Sequence, residues 1–128
     1  MYQIRVVLWA LLTLNSFNST LFAQTKLFSE KEISKLTDEA SQYLKEANFE
    51  KSLEISKVAL QKSITANDAT AITISYNTIA ANYAELAEFD KAIFFYNKGL
   101  FYANRTNNDT LKHHINNNLM LDYHLNHD

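Results

Sequence analysis

The sequence predicts an all-α protein built from repeated helical hairpins. The chain of 128 residues contains no Pro and a single Gly, whereas an all-β fold would need a turn with Gly or Pro about every ten residues. Apolar residues recur at three- and four-residue steps, the spacing that places them on one face of a helix. The pattern of the stretch 47–60 returns 40 residues later, at 87–100. Self-similarity at such a period is typical of stacked repeat proteins.

Residues 1–23 are predicted to be an export signal. Arg5 provides the positive start, an apolar run of nine residues follows at 6–14, and Ala23 is the small residue before the expected cleavage site. As a helix, nine residues span about 14 Å against a hydrocarbon core of ~30 Å, which is too short for a good anchor. The alternative, a buried N-terminal helix, lacks the amphipathic stripe of the later helices. We therefore expect a periplasmic or extracellular protein that begins near Gln24 and has no membrane span.

After a short lead-in at 24–28, the domain at 29–128 should contain two full hairpins and the first helix of a third. The first helix is expected to start at Ser29, which would cap it together with Glu32 while Phe28 packs onto Ile33. The predicted helices span 29–47, 49–65, 69–87, 89–105 and 110–126.

The breaks between these helices are expected at polar or small residues. The first hairpin turns at 47–48, too tightly for anything but an antiparallel pair. The linker 65–70 offers Asn67 or Asp68 as the next helix cap, and the linker 105–110 offers Asp109 in the same role.

Small residues should lie where the helices of a hairpin cross, because helices approach within about 8 to 10 Å only where side chains are small. Large side chains would then fill the space around each crossing. The small residues are Ala40, Ala59, Ala80, Ala92 and Gly99, and the large ones are Tyr43, Tyr83, Phe89 and Tyr96.

These positions resemble the tetratricopeptide repeat (TPR) family over roughly residues 30–126. The second repeat matches best, whereas Ser52 and Ser56 replace the usual Ala and aromatic residue of the first, and Met120 replaces the small residue of the third. The usual turn Gly is Ala in both full repeats, and the closing Pro is missing. The resemblance implies a right-handed solenoid of antiparallel hairpins whose first helices line a concave groove.

The period of 40 residues resembles the long-linker branch of that family, which includes kinesin light chains and sensor regions of bacterial regulators. In that branch, paired Asn residues of the first helices bind the backbone of an extended peptide. The resemblance places Asn77, Asn117 and Asn118 in this role, with Thr78 and His114 beside them. The alternative is that these amides are solvated surface in an Asn-rich chain.

Other classes of site have little support in the sequence. The chain has no Cys and a net charge of −2, which excludes thiolate chemistry and gives no basic surface for nucleic acid or anionic lipid. No catalytic triad, phosphate loop or catalytic carboxylate pair is recognisable, so we expect neither an enzyme nor a cofactor. His113, His114, His124 and His127 have no Cys or carboxylate to complete a metal site, and none is expected.

The sequence therefore predicts an exported TPR protein that acts as a scaffold and binds a protein or extended peptide. The alternative is the N-terminal sensory region of a longer bacterial signalling protein, a TPR-containing histidine kinase or transcription regulator. A homodimer is also open, because Ile115, Leu119 and Tyr123 would leave an apolar face of the last helix partly uncovered.

Overall fold

The computed structural model describes residues 2–127, and the side chains of residues 13–127 among them. The described chain is helical and contains no strand, which confirms the predicted all-α class. Its five helices are α1 (Tyr2–Lys45), α2 (Phe49–Thr65), α3 (Ala69–Glu85), α4 (Phe89–Ala103) and α5 (Asp109–His127). Among these residues, none of the helices combines the length and apolar character that crossing a membrane requires.

The chain divides into two units, Met1–Lys31 and Glu32–Asp128. In the first unit, the described side chains are nearly all exposed, including Leu14, Phe17 and Phe22. The apolar core of the predicted export signal, at 6–12, lies outside the described side chains.

The predicted helix start at Ser29 is wrong, because α1 begins at Tyr2. No Gly or Pro interrupts the stretch before Ser29, and hydroxyls such as that of Thr25 donate to a carbonyl one turn back, at 2.9 Å, instead of capping a new helix. Phe28 lies inside the helix and is 73% exposed, so its predicted role as a staple is also wrong.

The first three turns share one backbone geometry. Each places one residue in the left-handed region, Ala47 (φ 57°), Asn67 (φ 54°) and Ala87 (φ 57°). The N–H of that residue donates to the carbonyl three residues earlier, and the next N–H donates to the carbonyl five residues earlier, all at 2.9–3.0 Å. This is the Schellman motif, which satisfies the last carbonyls of the preceding helix. Because the motif needs two residues, α1 and α3 end two residues before the predicted positions 47 and 87.

Polar side chains cap the helices that follow these turns. Asn48 accepts a hydrogen bond from the N–H of Lys51 at 3.3 Å, and Asp68 accepts one from the N–H of Ala71 at 3.0 Å, as predicted for Asp68. The predicted cap Asp109 is wrong, because Asn108 accepts the bond from the N–H of Leu111 at 3.0 Å. α4 also ends at Ala103, two residues before the predicted end.

Helix α2 packs antiparallel to the part of α1 that belongs to the second unit. Near one end, Lys62 of α2 pairs with Glu32 of α1 at 3.1 Å. Nearer the turn, the Ser52 hydroxyl donates to the carbonyl of Ala40 at 2.8 Å. The contact positions rise along one helix as they fall along the other, which defines the antiparallel pair.

Helix α3 packs antiparallel to α4 through stacked aromatic rings. The ring centroids of Tyr76 and Tyr102 are 5.9 Å apart, and those of Tyr83 and Phe95 are 5.5 Å apart. Offset stacking of this kind adds to the stabilisation from apolar burial.

Helix α5 in turn packs antiparallel to α4. Asn126 donates to Asp90 at 2.9 Å, and at the other end a Cβ added to Gly99 would lie 3.7 Å from Ile115 of α5 and 3.4 Å from Tyr76 of α3. Gly99 therefore lies where three helices meet. Since α3 and α5 both run antiparallel to α4, they run parallel to each other, and they are also in contact.

The core of the second unit is made of small and branched side chains. The alanines expected at the helix crossings and Gly99 are all buried, and so is Tyr96, while the remaining large residues around them are half-buried. The buried small residues are Ala40, Ala59, Ala80, Ala92 and Gly99, and the half-buried large ones are Tyr43, Tyr83 and Phe89.

Candidate functional site

Two of the amides predicted from the sequence meet on neighbouring helices. Asn77 lies on α3 and Asn118 on α5, and the Nδ2 of Asn118 donates to the Oδ1 of Asn77 at 3.4 Å. Both side chains are half-buried. The distance is near the upper limit for a hydrogen bond, so the bond is weak.

The other three predicted groove residues are placed differently. Asn117 and His114 are exposed on α5. Thr78 is buried, and its hydroxyl donates to the carbonyl of Ile74 in its own helix at 3.0 Å. The structure thus brings together Asn77 and Asn118 and does not bring these three into the same contact.

A pocket of about 360 Å³ lies beside Asn118, between α3, α4 and α5. Its polar lining comes from Glu85, Tyr96, Asn118 and Asp122, and none of its lining residues is basic. The apolar wall consists of Ala81, Ala84, Phe89, Leu121 and Leu125.

Asp122 is the least expected member of this lining. The residue is 4% exposed, and its Oδ2 is buried without a hydrogen-bond partner among the described residues. Burial raises the pKa of the Asp122 carboxyl, and the nearby carboxylate of Glu85 raises it further. Both effects disfavour the negative charge, so the carboxylate lacks what would stabilise it, a donor or a cation.

Tyr96 provides a neutral hydroxyl in the same pocket. Burial raises the pKa of Tyr96, the charge of Asp122 adds to this effect, and the Asn118 side chain opposes it. The phenol is therefore protonated throughout the physiological range, where it can donate a hydrogen bond and accept one.

The first repeat shows what normally occupies the position of Asp122. Asn82 stands 40 residues earlier, and its Nδ2 donates to the Ser52 hydroxyl at 2.7 Å. Ser52 in turn donates to a carbonyl of α1 at 2.8 Å, so these side chains link three helices. In the second repeat, Ala92 replaces Ser52, and Asp122 has lost the corresponding partner.

Two further buried oxygens lack partners in the described part of the chain, Asn82 Oδ1 and Ser56 Oγ. Neither residue lines the pocket beside Asn118. They therefore do not belong to the candidate site.

The sequence prediction missed Asp122 and Glu85 and assigned Tyr96 to packing alone. A signal for Asp122 was present, since Ile115, Leu119 and Asp122 follow the spacing of one helix face. A carboxylate on that face, in register with Asn82, marks a buried charge. Nothing comparable marks Glu85, because an acidic residue at the end of a helix is usually solvated.

The apolar surface of α5 also differs from the prediction. Ile115 is buried against α4 and Leu119 is half-buried, so the predicted uncovered face is wrong except at Tyr123. The exposed apolar residues of α5 are Met120, Leu121, Tyr123 and Leu125.

Among residues 13–127, no group of three or more His, Cys, Asp or Glu side chains is placed to hold a metal ion. His113, His114, His124 and His127 are all exposed.

Comparisons with protein-family models, with curated proteins and with solved structures found no match for this chain. The residues of the site are therefore the basis on which its function is inferred.

Proposed function

We propose that the chain is a TPR-type scaffold that binds an extended segment of another protein on the surface formed by α3 and α5. The contact between Asn77 and Asn118 carries this proposal, because it puts amides from successive repeats side by side on parallel helices. The 40-residue repeat and the antiparallel packing of successive helices support the solenoid on which such a surface would lie.

The amide pair has the chemistry that reading a peptide main chain requires. Each amide offers both donors and acceptors. The bond between them uses Asn118 Nδ2 and Asn77 Oδ1, and in the proposed complex the peptide would bond to Asn77 Nδ2 and Asn118 Oδ1. Since the existing bond is long, little is lost if the two side chains separate to bind the peptide.

The test is a calorimetric comparison of the full chain with the triple variant Asn77→Ala, Asn117→Ala, Asn118→Ala. The ligands would be peptides selected on the full chain from a random library. We expect the variant to bind at least about tenfold more weakly, since a lost hydrogen bond is worth roughly 1 kcal/mol.

A matched control is the double variant Asn97→Ala, Asn116→Ala, which removes exposed amides of α4 and α5 outside the pair. It should bind as the parent chain does. Equal affinity of the parent and the triple variant would refute the proposed surface.

Export remains part of the proposal. The unit Met1–Lys31 exposes large apolar side chains, including Leu14, Phe17 and Phe22, and such residues are a liability in a chain that keeps them in water. N-terminal sequencing of the protein from its native cells should find a start near Gln24. Retention of Met1 would refute export by cleavage.

Self-association through α5 is a second candidate, supported by the exposure of Met120, Leu121 and Leu125. Sedimentation should then show a dimer that Met120→Glu converts to monomer. A monomer at all micromolar concentrations of the parent chain would exclude it. No observation on the described residues favours the sensory region of a longer signalling protein, which stays a prediction from the sequence.

A further inference from the structure

We propose that the pocket between α3, α4 and α5 binds a basic side chain of the peptide segment, with the Asp122 carboxylate as its counter-ion. This inference rests on the proposed peptide-binding function and adds the chemical class of residue that the peptide must present. The relevant cation is the ammonium of lysine or the guanidinium of arginine.

The first argument is the unpaired carboxylate. Asp122 is 96% buried, lines the pocket, and its Oδ2 has no hydrogen-bond partner among the described residues. Glu85 lines the same pocket from α3, and no Lys, Arg or His lines it. Two carboxyls without a cation make this pocket favourable for a positive charge.

The second argument excludes the ordinary structural explanation for a polar residue at this position. In the first repeat, Asn82 holds three helices together through Ser52. Since Ala92 stands in place of Ser52 in the second repeat, Asp122 can hold no such link. The carboxylate is therefore left without the structural task that its counterpart performs.

The third argument is the shape and position of the pocket. A volume of about 360 Å³ has room for a long side chain. Phe89, Leu121 and Leu125 line it, and they would contact the methylene stem of a lysine or arginine. Asn118 belongs both to the pocket and to the amide pair. A peptide whose main chain lies along the amides would thus have a side chain within reach of Asp122.

The experiment titrates the full, ¹⁵N-labelled chain with Nα-acetyl-lysine methylamide and follows the amide signals by NMR. The norleucine analogue, which has the same stem and no ammonium, is the ligand control. We expect the lysine derivative to shift signals around Tyr96, Asn118 and Asp122, and the norleucine analogue to leave them in place.

Asp122→Asn should weaken the binding of the lysine derivative at least about tenfold. This variant should fold, because Asn is the residue found at the corresponding position of the first repeat, and circular dichroism would check it. The matched control is Asp38→Asn, which makes the same charge change at an exposed position of α1 and should bind as the parent chain does.

Equal binding of the lysine and norleucine derivatives, equal binding by the parent chain and Asp122→Asn, or no binding of the lysine derivative would each overturn the inference. The two proposals fail separately. Library peptides that bind through the amide pair but contain no enriched basic residue would overturn the pocket assignment alone. Binding of the lysine derivative at Asp122, with no peptide selected, would overturn the peptide-binding function alone.

Discussion

Glycine at the two left-handed alanines should stabilise the protein. Ala47 and Ala87 both have a φ of 57°, a conformation that costs an L-residue roughly 1–2 kcal/mol and costs glycine nothing. Glycine also makes the unfolded chain more flexible, which cancels about half of that gain. Both alanines are exposed, and the Schellman bonds use only backbone atoms, so no packing or hydrogen bond is lost.

The expected net gain is about 1 kcal/mol for Ala47→Gly and for Ala87→Gly, and about 2 kcal/mol for the double variant, since distant sites are additive. Urea unfolding should show a higher midpoint with an unchanged slope, and the melting temperature should rise by about 4 °C per site.

The matched control is Ala66→Gly, one residue before the left-handed Asn67. Ala66 is exposed and has a φ of −78°, so glycine there relieves no strain and should lower the stability by up to about 1 kcal/mol. The reasoning would be refuted if Ala66→Gly stabilised the chain as much as Ala87→Gly, or if neither left-handed substitution raised the midpoint.

Three further substitutions test the packing and the pocket by urea unfolding. Gly99→Ala should stabilise by up to about 1 kcal/mol, because the interior of a helix favours Ala and the added Cβ would meet no atom closer than 3.4 Å; a loss of more than about 1 kcal/mol would contradict this reading. Ser52→Ala should cost about 2 kcal/mol, because it removes a bond to α1 and the acceptor of Asn82; an unchanged midpoint would show that this network does not stabilise the fold. Asp122→Asn should be more stable than the parent chain at neutral pH. Burial and then Glu85 raise the pKa of Asp122 above its ordinary 3.8, so the folded parent loses stability as the pH rises above 3.8, and the variant does not. The two stabilities should converge below pH 3.8, and parallel profiles would contradict the assignment.

The same substitution, Asp122→Asn, is thus expected to gain stability and to lose the binding of a basic side chain. Opposite effects of this kind are the mark of a group retained for binding at some cost to folding. If the variant gained stability and kept its affinity for the lysine derivative, the carboxylate would be only a poorly placed buried charge.

The sequence alone determined the all-α class and the start of three helices, at Phe49, Ala69 and Phe89. Local chemistry decides these starts, since a turn and the residue that precedes each helix lie within a few positions of one another. The same local reasoning misplaced the start of α1, because the cap signal at Ser29 competes with a preceding stretch that contains no Gly or Pro to break the helix. It also placed two helix ends two residues late, because alanine gives no sign that it will adopt a left-handed φ.

Tertiary structure decided the site. Asn77 and Asn118 were candidates from their residue type and spacing, but their contact depends on how α3 and α5 lie against α4. The unpaired carboxylate depends on the same packing, since Asp122 is buried only where three helices meet, and its missing partner is visible only beside the intact link of Ser52 and Asn82. Burial and pairing are properties of contacts between distant segments, and for that reason the repeat pattern could indicate the scaffold while leaving the pocket unseen.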